Sequence, residues 1–310
     1  MGRGDLTDAE WERLRPFLPV SNRRCGRWRD HRQVIDGILH RVRTGVHWRD
    51  LPERFGPWKT IYERHRLWSA DGTWERLLQR VQAEADASGD IDWDISVDST
   101  VVRAHQHAAG APTDLPPALA PKGDGPGEHQ DETPWQSLVA RLAEVGAGGE
   151  GLGRSRGGFT TKVHLSADGR CRPLSLVVTA GQRADCTQFE PVLERIRVPR
   201  TGPGRPRKTP DSLAADKAYS NGPCRTYLRR RGIPHTIPEK TDSRAARLRK
   251  GSRGGRPPGF DEERYKKRNT VERAINKLKH ARAVATRYDK RGYVYLGTVT
   301  AAALVIWLRT

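Results

Sequence analysis

The chain has 310 residues and carries 56 Lys and Arg against 37 Asp and Glu, a formal net charge of +19. That length is enough for two domains with sizeable cores, and an excess of cations made mostly of Arg favours a polyphosphate partner. No apolar run is long enough to span a membrane, the first five residues lack a signal-peptide core, and Cys25, Cys171, Cys186 and Cys224 lie too far apart for a zinc or disulfide framework, so a reducing cytoplasm is expected.

Residues 5–88 read as short helices. Thr7 and Glu10 make a capping-box pattern, and Pro16 and Pro19 limit the helix that follows. Val34, Ile35, Ile38, Leu39 and Val42 recur at helical spacing over about 30–44, and Gly45 ends that helix. A connector, His47-Trp48-Arg49-Asp50-Leu51-Pro52 and onward to Trp58, leads to helices over about 59–69 and 73–87. A helix, a short turn and a helix presenting Lys59, Arg64, His65 and Arg66 resemble a helix-turn-helix module that contacts DNA. A helical bundle with merely solvated basic residues is the alternative.

Residues 91–101 alternate as a strand does, with Trp93, Ile95 and Val97 on one face and Asp94, Ser96 and Asp98 on the other. Asp98 is expected at the strand end. Residues 105–153 are rich in Gly, Pro and Ala and read as a linker or flexible insertion, with a short helix over 135–145. His105, His107 and His129 within it lack metal-ligand spacing. Residues 159–165 and 173–179 form a hairpin around Asp168-Gly169, followed by a helix over 186–196. Gly204-Arg205-Pro206-Arg207-Lys208 resembles an AT-hook core, in which Arg205 and Arg207 would lie in a minor groove; a plain flexible loop is the alternative. Residues 212–215 are a short strand running into Asp216, 223–231 a helix, 233–237 a strand, and 240–259 an Arg/Gly/Pro-rich stretch with no core.

Between Asp261 and Arg282 there is neither Gly nor Pro, which predicts one helix. Tyr265, Arg268, Glu272 and Lys279 share one face of it, beside an apolar stripe of Val271, Ala274, Ile275 and Leu278. One carboxylate between cations suits a metal ligand next to phosphate oxygens; taken alone, it also suits a solvated face with an Arg–Glu ion pair. Residues 293–308 are a terminal apolar helix docked on the sheet. Asp98 and Asp216 thus end two strands and Glu272 lies on a late helix. If those strands are neighbours the three acids converge, and three close carboxylates are reasonable only around divalent cations, which would serve an in-line phosphoryl displacement.

The chain resembles the DDE transposases of bacterial insertion sequences, specifically the insertion-sequence-5 family. The resemblance covers nearly the whole chain. It rests on Val97-Asp98-Ser99-Thr100-Val101-Val102-Arg103-Ala104-His105-Gln106-His107, Gly153-Arg154-Ser155-Arg156-Gly157-Gly158 with Thr160-Thr161-Lys162, Ala215-Asp216-Lys217-Ala218-Tyr219 and the His47–Pro52 stretch. Tyr265, Arg268, Glu272 and Lys279 match the family's Y-(2)-R-(3)-E-(6)-K signature. The 105–153 segment departs from the family pattern. The resemblance implies an α/β fold: an RNase H-like mixed-sheet catalytic domain over residues 91–310, preceded by a small all-α, helix-turn-helix-like domain over 1–90. It implies Asp98, Asp216 and Glu272 as catalytic ligands of two Mg2+ ions, which Mn2+ would replace. The implied partners are double-stranded DNA, both the element's terminal inverted repeats and target DNA, and a second copy of the chain when two ends are paired. The implied location is the cytoplasm of a bacterium, at the nucleoid. An RNase H-like nuclease that only hydrolyses, and a non-catalytic DNA-binding descendant, are the rival readings.

Overall fold

The computed structural model describes residues 4–19, 29–110, 150–155 and 157–310. The helix expected over 135–145, His129, Cys25 and Arg156 lie outside the described residues. Four helices open the chain: α1 (Asp8–Leu14), α2 (His31–Thr44), α3 (Trp58–Ala70) and α4 (Thr73–Ala87). Their ends follow local chemistry. Thr7 Oγ1 accepts from the Glu10 N–H while Glu10 Oε2 accepts from the Thr7 N–H, at 3.2 and 2.7 Å, so the capping box forms. Gly45, at φ 73°, closes α2 by donating its N–H to the Arg41 carbonyl, a left-handed position that costs a side chain strain. Val34, Ile35, Ile38, Leu39 and Val42 form the buried stripe of α2.

A mixed sheet follows. Its strands are β1 (Asp94–Ala104), β2 (Gly153–Ser155), β3 (Gly158–Ala167), β4 (Pro173–Ala180), β5 (Ser212–Ala215), β6 (His235–Thr236) and β7 (Thr286–Arg287). Across the sheet the order is β4-β3-β1-β5-β6; β2 extends β3 as a hairpin and β7 pairs with the end of β1. β1 runs antiparallel to β3 and parallel to β5, and β5 runs parallel to β6. All four residues of β5 are buried, as a central parallel strand covered on both faces requires. The strand β2 begins at Gly153, the last residue of the stretch expected to be an insertion, and pairs with the start of β3.

The remaining helices are α5 (Gln106–Ala109), α6 (Phe189–Glu194), α7 (Gly222–Arg230), α8 (Thr241–Arg249), α9 (Glu262–Lys266), α10 (Asn269–Lys279), α11 (Arg282–Ala285) and α12 (Gly292–Leu308). The 240–259 stretch thus contains a helix, α8, yet none of its residues is buried. α12 is apolar all round and buried along most of its length. It packs on α3 and α4 as well as on β4, so the first helices and the sheet share one continuous apolar core. At Gly297 an added Cβ would meet Ser69 Oγ at 1.9 Å, which lets α12 lie close against α3. Among the described residues, no helix is long and apolar enough to cross a membrane.

Candidate active site

The parallel ladder of β1 and β5 pairs Val97 with Ala215, so the residues that follow, Asp98 and Asp216, stand on neighbouring strands. Asp98 lies in the middle of β1 and not at its end, because β1 continues to Ala104 along β3 after β5 has stopped. The early stop of β5 opens the space beside Asp98. Each carboxylate is held locally by one oxygen: Asp98 Oδ1 accepts the Ser99 N–H at 2.8 Å, and Asp216 Oδ1 accepts the Lys217 N–H at 2.7 Å.

Glu272 arrives on α10, which lies on the sheet through Val271, Ala274, Ile275 and Leu278. The single helix expected over 261–282 is broken. Lys267 and Arg268 make a tight turn in which N–H groups bond three residues back: Arg268 to Tyr265 and Val271 to Arg268, at 3.0 and 3.2 Å. Contacts to β1 fix this turn. Ser96 Oγ donates to the Lys267 carbonyl at 3.4 Å, and Lys267 Nζ reaches Asp94 Oδ2 at 2.8 Å. The face survives the break: the Arg268 guanidinium lies 5.7 Å from the Tyr265 ring centre and 2.7 Å from Glu272 Oε1.

Arg268 also approaches Asp98, with Nη1 3.8 Å from Oδ2, and so spans two of the three acids. Burial raises the pKa of Asp98; the Ser99 N–H and Arg268 oppose that, while the charges of Asp216 and Glu272 add to it. These acids therefore feel one another, and their donors are all hard oxygens, the chemistry a magnesium ion takes. With the side chains as placed, no three His, Cys, Asp or Glu among the described residues close around a common point. The donor set fits such an ion in kind, with Arg268 lying where the carboxylates would otherwise need a cation.

A profile described as "Transposase DDE domain" matches residues 91–306, and one described as "Putative transposase of IS4/5 family (DUF4096)" matches residues 6–78. The chain belongs to the DDE transposases. It is similar to the "Putative transposase for insertion sequence element IS6501" of Brucella ovis, 28% identical over 49% of this chain and 100% of that one. It is also similar to the "Putative transposase for insertion sequence element IS402" of Burkholderia cepacia, 30% identical over 44% of this chain and 56% of that one. The "Uncharacterized protein y4sN" of Sinorhizobium fredii is 40% identical over 34% of this chain and 82% of its own. No solved structure matches.

The transposase keeps only part of the cationic surface expected on α3. Lys59 is exposed. Arg64 is buried: its Nη1 lies 3.0 Å from His31 Nδ1 and its guanidinium 5.6 Å from the Trp68 ring centre. His65 is fully buried, accepting from Trp74 Nε1–H at 3.1 Å and facing Thr298 Oγ1 of α12. Arg66 is half-buried and paired with Glu63. α12 covers the side of α3 that carries His65, whereas Arg64 is enclosed by His31 of α2 and Trp68. In the 197–210 loop Arg205 is exposed, whereas Arg207 lies 4.0 Å over the Trp93 ring centre and pairs with Asp211, so it does not hang free as a minor-groove hook would. Tyr265 and Lys279 are half-exposed on the Glu272 face.

The acids left out by the spacing argument have structural partners. Asp94 holds Lys267 and Ser212, Glu239 holds Arg247, and Asp168 is buried against Arg172 at 2.7 Å. One acid was not foreseen. Asp185 accepts from Ser99 Oγ at 2.7 Å and pairs with Lys162 at 3.0 Å, directly beside the Asp98 strand. Tyr219 stands near both, its hydroxyl buried without a hydrogen-bond partner. No local pattern marks Asp185, since it meets Ser99 only through the packing of the turn before α6 on the sheet.

Proposed function

We propose that this transposase binds the terminal inverted repeats of its own element and catalyses metal-dependent DNA cleavage and strand transfer. The observation that carries the reading is the Val97–Ala215 pair, which sets Asp98 and Asp216 side by side and within the electrostatic reach of Glu272. The order β4-β3-β1-β5-β6, with one parallel switch between β1 and β5, supports an RNase H-like fold for the domain, with the helices up to about residue 90 as a DNA-reading unit.

Asp98, Asp216 and Glu272 would hold the divalent ions, two Mg2+ with Mn2+ as a substitute. When bound, such ions activate an attacking oxygen and stabilise the leaving one. The chain's own residues do the rest. Arg268 neutralises Asp98 and Glu272 and stands ready to meet a phosphate oxygen as its carboxylate partners engage elsewhere. Tyr265 and Lys279 extend that face along the helix for DNA contact. Lys59 and Arg205 remain outward for the phosphate backbone of the ends and of target DNA, Arg66 would have to leave Glu63 to join them, and pairing of two ends would use a homodimer.

The test is single-turnover cleavage of an end duplex by Asp98→Ala, Asp216→Ala and Glu272→Ala, each alongside a binding assay. Losses of several orders of magnitude with binding retained support the reading. A Glu272→Ala protein that cuts at the wild-type rate refutes it, and products that are only nicked, never joined to target, leave hydrolysis alone.

A further inference from the structure

Between β5 and α9 the chain leaves the sheet at β6 and returns beside the acids. From residue 222 to 256 it carries eleven Lys and Arg and only two acids, Glu239 and Asp242. Glu239 is bound to Arg247 by two hydrogen bonds. The excess cations are not spread evenly. Arg225, Arg229 and Arg256, with His235, line one open groove of about 610 Å3 between α7 and the 256–259 loop. Their own hydrogen bonds go to neutral atoms: Arg225 to the Ile237 carbonyl and Ser220 Oγ, Arg229 to Thr226 Oγ1. No acid among the described residues lies within ion-pair distance of any of the three. Burial lowers the Arg225 pKa and the Arg229 charge adds to that, while Glu239, itself bound to Arg247, opposes it.

The groove's place in the sheet matters as much as its charge. The first helices join the sheet through α12 on β4, at one edge. The groove stands on β6, at the other edge, and the Asp98–Asp216 pair on β1 and β5 lies between them. A duplex whose terminal repeat is read by the first helices and whose scissile phosphate reaches the acids would continue toward β6.

We propose that the Arg225–Arg229–Arg256 groove holds the phosphate backbone of the duplex beyond the scissile bond, which is flanking DNA before cleavage and target DNA at strand transfer. The inference rests on the transposition reading above. Guanidinium groups suit the task because they pair with phosphate oxygens through two parallel N–H groups and stay charged when half-buried.

The experiment uses the full chain with Arg229→Glu and Arg256→Glu combined, because both residues are exposed and free of ion pairs, and the Lys pair at the same positions as control. Three duplexes are compared: an end with its native flank, the same end trimmed at the cleavage site, and a random duplex. On the flanked end the Glu pair is expected to bind at least about tenfold more weakly, with the slope of log affinity against log salt reduced by about two. On the trimmed end it should bind as wild type does, and the Lys pair should stay near wild type throughout. Joining of trimmed ends to target separates the two sources: a lower rate assigns the groove to target as well, an unchanged rate to the flank alone. Equal affinity and salt slope for wild type and the Glu pair on the flanked end would overturn the groove. A wild type that neither prefers its ends nor cuts them would instead remove the transposition reading, while a reduced salt slope of the Glu pair on random duplex would keep the groove as a DNA-backbone site.

Discussion

Val97 faces Ala215 across the parallel ladder of β1 and β5, and that register fixes which acids can work together. A shift of one residue would turn Asp98 to the opposite face of the sheet and leave Asp216 beside Val97 or Ser99. The arrangement has a cost: burial raises the pKa of Asp98, and the charges of Asp216 and Glu272 add to it.

That cost is measurable. A carboxyl whose pKa rises on folding contributes stability below its unfolded value of 3.8 and loses it as the pH climbs through the folded value. In chelator at neutral pH, Asp98→Asn is therefore expected to melt above wild type, with the gap narrowing as the pH is lowered toward 3.8. Magnesium should raise the wild-type midpoint more than that of the variant. Identical midpoints at neutral pH would mean that burying the ionised Asp98 beside its neighbours costs the fold nothing.

Lys279 closes the helix that carries Glu272, two turns on along the same face. On the proposed function its charge would face the developing charge of the transition state, so Lys279→Ala is expected to slow single-turnover cleavage by about 10²-fold. Binding of end DNA should weaken by less than about tenfold, since one phosphate contact among many is lost. A variant that cuts normally would return Lys279 to the solvent.

Arg64 and Lys59 lie on one helix yet should fail differently. Removing Arg64 deletes a partly buried hydrogen bond to His31 and a contact with Trp68, for a loss of about 1–3 kcal/mol in urea unfolding. Removing exposed Lys59 should leave stability unchanged and lower the salt slope of DNA binding by about one. A fully stable Arg64→Ala that has lost DNA would reverse the assignment.

Asp168 is conspicuous in the sequence as a hairpin residue and acts in the core. It is fully buried, accepts from Arg172 Nε and Nη2, and Arg172 in turn lies 4.0 Å over the Trp307 ring centre. Asp168→Ala leaves the buried guanidinium with only Asp90 as a carboxylate partner, at a cost of about 3 kcal/mol, the lower end for breaking a buried pair. Lost activity in that variant should track lost folded protein; circular dichroism beside the cleavage assay checks it, and a well-folded but inactive protein would place Asp168 in the chemistry.

The sequence by itself determined a good deal of this molecule. Local patterns placed the buried stripes of α2 and α10 and the Thr7 capping box, because those depend on bonds and spacings within a few residues, whereas β1 buries Ser96 together with Ile95 and Val97. The sequence also supplied Asp98, Asp216 and Glu272 as candidates, through motif resemblance. Only the tertiary structure decided what lies between distant segments. The terminal helix α12 covered His65, His31 took Arg64, Trp93 captured Arg207, and β1 pinned the turn that breaks the Glu272 helix at Lys267. Asp185 joined Ser99 from a turn far along the chain. In each case the deciding partner is remote in sequence, and whether an arginine meets solvent, a ring or a carboxylate depends on which surface the folded chain brings to it.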